Sequence, residues 1–231
     1  MRQQAGSGDG SGALGSAIPG QSRIAFSRWV EEQGEQVFTM DVDGGDVRQL
    51  TGGGKGRGHS WGPAWSPDGA HICFTSAREC YARLHVMKAD GTDRRQLTLD
   101  CEGDDDAPAW SPDGTRIAFG RGDRHPDDLY LLDIASGSIR PLTTSAQQDS
   151  APSWSPDGAL LAFRRSYGMP PGLYVMPAAG GEARFLTPGL HPAWSPHGGR
   201  IAFALGNALW LLAVDARGAP AGRAWQVVCS P

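Results

Sequence analysis

The chain has 231 residues, a formal charge of -4, 20% charged residues, 33 glycines and 17 prolines. That balance gives no basic footprint for nucleic acid, and no apolar run approaches the length of a membrane span. Frequent turns and few long helices are expected, and one all-β domain of this length is ordinary.

In chain order, residues 1–14 read as a flexible Gly/Ser-rich tail. The tail has no apolar h-region, so it does not read as a signal peptide. Residues 15–231 read as one domain made of repeats. "RIAFSR", then "QVFTMDVDGGDVRQLT", forms a first copy, with an irregular inner strand expected near Gly15 to Pro19. "PAWSPDGAHICF", "PAWSPDGTRIAF", "PSWSPDGALLAF" and "PAWSPHGGRIAF" open the next four. Their tryptophans, Trp65, Trp110, Trp154 and Trp194, stand 45, 44 and 40 residues apart. "RLHVMKADGTDRRQLT", "DLYLLDIASGSIRPLT" and "GLYVMPAAGGEARFLT" follow three of these openings. "ALWLLAVDARG" and "RAWQ" complete the fifth copy.

Each copy reads as four short strands. Strand A is the "PAW" segment, and "SPDG" is a tight turn with Pro fixing φ and Gly ending it. Strand B is "RIAF" and strand C is "LYVM". Strand D is "RxLT", reached through a Gly-containing hairpin. Four strands per 40–45 residues is the period of a propeller blade. Radial stacking buries both faces of such sheets, which a lone sheet cannot do. The predicted fold is therefore all-β: a five-bladed propeller of four-stranded blades.

The W-S-P-D-G-x-x-I-A-F block, followed by L-Y-V-M and D-G-x-x-x-x-L-T, resembles the TolB-type, WD-like propeller repeat and covers residues 15 to 228. Members of that family usually have six blades, and five are counted here. The resemblance implies docking of a protein or peptide partner on one face. It also implies a periplasmic or extracellular setting, although the tail holds no signal peptide. Similar propellers precede hydrolase domains in prolyl-type oligopeptidases, so the propeller part of a larger hydrolase is an alternative. Propeller glycosidases and a TolB-like metal-dependent lyase family make a carbohydrate-active enzyme the other alternative.

Comparing the copies with one another separates scaffold from site. The tryptophans, the Ile-Ala-Phe triplets and the SPDG aspartates recur, so the fold accounts for them. Cys73 replaces the Ala of a triplet and is expected to be buried and free. The D-strand arginines Arg48, Arg95, Arg140, Arg184 and Arg223 recur too, and are expected on solvated outer strands. "DVDGGD" fails the calcium-loop pattern because its last ligand position falls on Gly52. "GGGKGRG" fails the P-loop pattern because no Ser or Thr follows Lys55.

"GHSWG" around Ser60 matches the serine-hydrolase elbow, but that motif needs a strand–turn–helix. Here the segment connects an outer D strand to the next inner A strand, so Ser60 is not expected to be a nucleophile. Residues that differ between copies gather in the D-to-A loops, at the expected mouth of the central channel. The candidate binding set is His59, Trp61, Asp105, Asp106, Asp149 and His191. Cys80 and Cys101 are expected on the same face, close enough to form a disulfide. No cofactor motif is present, none is expected to be bound, and catalysis is not expected. A non-catalytic interaction scaffold is the leading functional expectation.

Overall fold

The computed structural model describes residues 23–52, 58–77, 81–99, 103–122, 127–144 and 147–227. They form five antiparallel sheets arranged as the blades of a propeller, and no helix occurs among the described residues. Blade one holds β1 (Arg23–Val30), β2 (Gly34–Asp41) and β3 (Arg48–Gln49). Blade two holds β4 (His59–Trp65), β5 (His71–Ala77), β6 (Ala82–Lys88) and β7 (Arg95–Gln96). Blade three holds β8 (Asp104–Trp110), β9 (Arg116–Gly122), β10 (Asp128–Asp133) and β11 (Ile139–Pro141). Blade four holds β12 (Asp149–Trp154), β13 (Leu160–Arg165), β14 (Gly172–Pro177) and β15 (Arg184–Thr187). Blade five holds β16 (Leu190–Trp194), β17 (Arg200–Leu205), β18 (Ala208–Ala213) and β19 (Trp225–Gln226). The inner strand expected for blade one, near Gly15 to Pro19, lies outside the described residues.

Local chemistry explains why each repeat folds alike. In the SPDG turns the Ser hydroxyl donates to the Asp carboxylate two residues on, at 2.5 Å for Ser66–Asp68, Ser111–Asp113 and Ser155–Asp157. The same carboxylate accepts the backbone N–H of Ala70, Thr115 or Ala159. In blade five His197 stands in the Asp position, and Ser195 donates instead to the Gly198 carbonyl. The Thr of R-x-L-T has its own task. Thr51, Thr98 and Thr143 accept the N–H of Val37, Leu84 and Leu129, pinning strand D onto strand C.

The inner strands differ from the sequence reading. They begin before "PAW", so segments expected to be D-to-A loops are paired strand. A β-bulge interrupts each one at the residue before proline. That residue is left-handed in all four blades: Gly62 (φ 60°), Ala107 (50°), Ala151 (51°) and His191 (51°). A side chain there costs about 1–2 kcal/mol relative to the right-handed region. The proline that follows has no N–H, so it suits the gap a bulge leaves in the ladder.

Packing between blades supplies the core. Cys73, Ala118 and Ala162, with Leu84, Leu129 and Leu173, face the next blade and are fully buried. Phe74, Phe119, Phe163 and Phe203 meet the preceding blade and are fully buried too. Each buried Leu or Phe among them stabilises its junction by about 1.5–3 kcal/mol. Trp110 and Trp154 donate their indole N–H to the carbonyls of Ala64 and Ala109 in the preceding blade, at 3.2 and 3.0 Å.

Four such cores join the five blades in sequence. Among the described residues no comparable core joins blade five to blade one. On blade five, Ala202, Leu209 and Leu211 occupy the positions buried in blades two to four, yet all are only partly buried. Ile24, Phe26 and Met40 are likewise partly buried on the opposite side of the seam.

Candidate functional site

The bulges sort the residues of the inner strands into two groups. Five positions before the Trp of each blade stand Ser60, Asp105 and Asp149, all fully buried. In register beside them on strand B stand Ser76, Arg121 and Arg165. Arg121 donates to both oxygens of Asp105, at 2.6 and 3.2 Å. Burial pushes the Asp105 carboxyl up from its ordinary value, and the Arg121 bonds oppose that rise. Arg165 donates to both oxygens of Asp149, at 2.7 Å each. The Asp149 bond raises the Arg165 pKa further. Both guanidinium groups lie over aromatic rings of their own blade, Phe119 with Tyr130 and Phe163 with Tyr174.

Asp105 and Asp149 are therefore not exposed rim acids, as the sequence suggests, but buried counter-ions. A buried carboxylate needs such a partner, and the arginines two residues after the strand-B Phe supply it. In blade two the same positions are Ser60 and Ser76, whose hydroxyls lie 3.2 Å apart. Ser60 is buried in β4 and a further strand follows, so the elbow geometry is absent.

One residue further along, the side chains turn to open space. Trp61 donates its indole N–H to Asp106 Oδ1 at 2.8 Å, bridging blades two and three. The Ala107 N–H donates to the same oxygen at 2.7 Å. Part of Asp106 faces solvent, but protein crowds its carboxyl group. Burial raises its pKa, the Trp61 and Ala107 bonds act against the rise, and Asp127 and Glu35 add to it. These groups border a cavity of about 480 Å³ between the two blades. Its walls include Trp61, Tyr81, Asp104, Asp106, Ala107 and Asp127.

The two histidines lie elsewhere. His59 accepts the Glu35 N–H on Nδ1 at 3.3 Å and lies 5.5 Å from the Trp29 ring, so it faces blade one. His191 sits at the bulge of blade five, where burial and Arg164 lower its pKa. The structure thus brings Trp61, Asp105 and Asp106 together and leaves His59, Asp149 and His191 outside the cavity wall. Cys80 and Cys101 lie outside the described residues. Cys73 is fully buried, which pushes its thiol pKa well up. The five D-strand arginines are exposed.

Three contributors were missed in the sequence: Tyr81, Asp127 and Trp29. Tyr81 and Asp127 lie in B-to-C connections, and each is confined to one blade. The same comparison between copies, extended to those connections, would have found them. Trp29, Tyr167 and Met169 are the strongly exposed apolar groups at the B-to-C ends of blades one and four. The hairpin at Asp41 to Asp46 is tied by Arg23, which pairs with both Asp41 and Asp46. Among the described residues no group of three or more His, Cys, Asp or Glu is placed to hold a metal ion, and no helix is long and apolar enough to cross a membrane.

A family model described as the TolB beta propeller domain matches residues 92–209, just over half of the chain. The chain belongs to the TolB β-propeller family. Among solved structures, this TolB-family chain is similar to TolB from Acinetobacter baumannii (TM-score 0.69, 23% identity, 85% of this chain and 50% of that one). It is also similar to a putative TolB from Agrobacterium tumefaciens (TM-score 0.66, 26% identity, 77% of this chain and 68% of that one). An oligogalacturonate lyase in complex with manganese shares the fold at a TM-score of 0.60 and 18% identity, over 85% of this chain and 63% of the lyase. An uncharacterized protein of Agrobacterium fabrum is 32% identical over 75 residues, 32% of this chain. The match spans a quarter of that relative's length.

Proposed function

We propose that this TolB-family propeller is a non-catalytic binding module that docks a protein or peptide partner on its channel-mouth face. The observation that carries this reading is the division of labour among the inner strands. Residues that recur build turns, ladders and blade junctions, whereas Trp61, Asp106 and their neighbours border a cavity and differ from blade to blade. A loop- and edge-built face on a rigid scaffold is where binding is concentrated, and Trp is enriched among interface hot spots. Trp61 and Asp106 make the central contacts, with His59 and His191 flanking them on the same face. Asp105 and Asp149 act from beneath, holding the strands that carry these groups. Membership of the TolB family supports a protein partner.

The test is crosslinking mass spectrometry of partner complexes captured by the wild type. Two variants are compared, Trp61→Ala/Asp106→Asn and, on the opposite face, Asp43→Ala/Asp90→Ala. Crosslinks should concentrate near β4 and β8, and only the first variant should lose capture. Capture that depends on the Asp43 and Asp90 hairpins instead would refute the assignment.

A further inference from the structure

We propose that the cavity between blades two and three is a receptor for one basic side chain, a lysine or arginine presented by the partner; this rests on the docking reading above. Charge accounting is the first argument. Four carboxylates, Asp104, Asp105, Asp106 and Asp127, border the cavity. Among the described residues, the two arginines that act on Asp105 are already engaged. Arg121 makes both of its described carboxylate bonds to Asp105, and Arg83 donates to the carbonyls of Ala82 and Gly103. Among the described residues no Lys or Arg pairs with Asp104, Asp106 or Asp127. Asp104 Oδ1 accepts the Ala82 N–H at 2.6 Å, and Asp127 Oδ2 accepts from Gln148 at 2.5 Å. Asp106 Oδ1 takes the Trp61 and Ala107 bonds. All of these donors are neutral, and Asp104 Oδ2 and Asp106 Oδ2 accept nothing from the described residues.

The second argument is independent of charge. The cavity is a shaped space with an aromatic and aliphatic wall: Trp61, Tyr81, Ala77, Ala82 and Ala107. Its volume, about 480 Å³, lies in the range of small-ligand pockets. A bare metal ion has no use for such a wall. A side chain with an apolar stem and a cationic head uses both parts, laying its methylenes along Trp61 and Tyr81. The head then meets aromatic faces and carboxylate oxygens together. The mutual repulsion of Asp106, Asp127 and Glu35 is relieved when that charge arrives.

The third argument is specificity by position. In blade two the place of Asp106 is Trp61, in blade four Ser150 and in blade five Leu190, each four residues before the blade's Trp. Among the described residues only the junction of blades two and three sets an inner-strand indole against a carboxylate, so one register of the partner is selected.

The experiment titrates the intact protein with three blocked tripeptides, Ac-Gly-Lys-Gly-NH2, Ac-Gly-Arg-Gly-NH2 and the uncharged isostere Ac-Gly-norleucine-Gly-NH2. Binding is followed by NMR on the Trp61 indole N–H. The Lys and Arg peptides should shift that resonance saturably, and norleucine should bind at least tenfold more weakly. Asp106→Asn should weaken the cationic peptides at least tenfold. Asp127→Asn, which leaves the Trp61–Asp106 bond intact, should weaken them as well, with the remaining tryptophan resonances unmoved as a check on the fold. Equal binding of norleucine, shifts confined to other tryptophans, or no saturable shift with either cationic peptide would overturn the proposal. The docking reading fails separately. If partner capture is lost in Trp61→Ala/Asp106→Asn while the cationic peptides do not bind wild type, this inference alone is refuted. If the peptides bind as described while capture is indifferent to the face, the cavity chemistry stands and the docking reading falls.

Discussion

Replacing Asp105 by Asn tests whether this acid belongs to the scaffold or to a binding surface. The side chain is fully buried and its partner Arg121 is 5% exposed. Neutralising Asp105 removes the charge partner of both described carboxylate bonds of a guanidinium held in the protein interior. Breaking one side of a buried pair costs about 3–5 kcal/mol. Asn keeps the volume and one acceptor, so the lower end of that range is expected. In a chain of 231 residues each kcal/mol lowers the melting temperature by about 2–4 °C, giving a loss of about 6–12 °C for 3 kcal/mol. Native domains hold only about 5–15 kcal/mol in all, so the effect is large. The assay is urea and thermal unfolding of Asp105→Asn and of a closed cycle, Asp105→Ser, Arg121→Ser and Asp105→Ser/Arg121→Ser. The double variant installs the Ser60–Ser76 arrangement that blade two already tolerates. It should therefore be less destabilised than the two single changes added together, by about 0.5–3 kcal/mol. It will still lose the packing of Arg121 over Phe119 and Tyr130. A single Asp105→Asn within about 0.5 kcal/mol of wild type, or strictly additive variants, would refute the counter-ion assignment.

Trp110→Ala should cost about 3–5 kcal/mol, because it empties a junction core and removes the indole bond to Ala64; Trp110→Phe, in the same unfolding assay, should cost clearly less. Hydrogen exchange should be fastest at the faces of blades one and five that border the seam, since four shared cores join the other junctions; uniform protection at all five junctions would contradict this. The Asp113 carboxyl is held well below its ordinary value, first by the Ser111 hydroxyl and then by the Thr115 N–H. A depressed folded-state value means that stability is present above the unfolded pKa of about 4 and is lost as pH falls below it. The stability gap between wild type and Asp113→Asn should therefore be widest near neutral pH and shrink in acid, and a gap that is flat with pH would rule out the charge contribution.

The repeat was legible because its determinants are local. A Ser, a Pro, an Asp and a Gly in succession specify one turn whatever surrounds them, as Ser66, Asp68 and Ser111, Asp113 demonstrate with the same bonds. The period of 40–45 residues then counts the blades, and the continuous apolar runs in "RIAF" and "LYVM" mark strands buried on both faces. The membership of the inner strands was not legible. Proline marks a strand start in the sequence, yet Pro63, Pro108, Pro152 and Pro192 each follow a left-handed bulge inside a longer strand. Only pairing with strand B reveals this, because the ladder resumes on both sides of the interruption.

The fate of the acids follows from the same bulge. Asp105 and Asp106 are neighbours in the chain and equivalent by composition. Strand geometry sends them to opposite faces, one to a guanidinium sixteen residues away and the other to an indole forty-five residues away. Those distances in sequence carry no local signal, since the pairing depends on which blades stand side by side. The sequence by itself determined the turns, the number of blades and which apolar residues are core. The tertiary structure alone decided which carboxylates are spent on burial and which are left facing a cavity, because burial and charge pairing are properties of neighbours that only folding brings together.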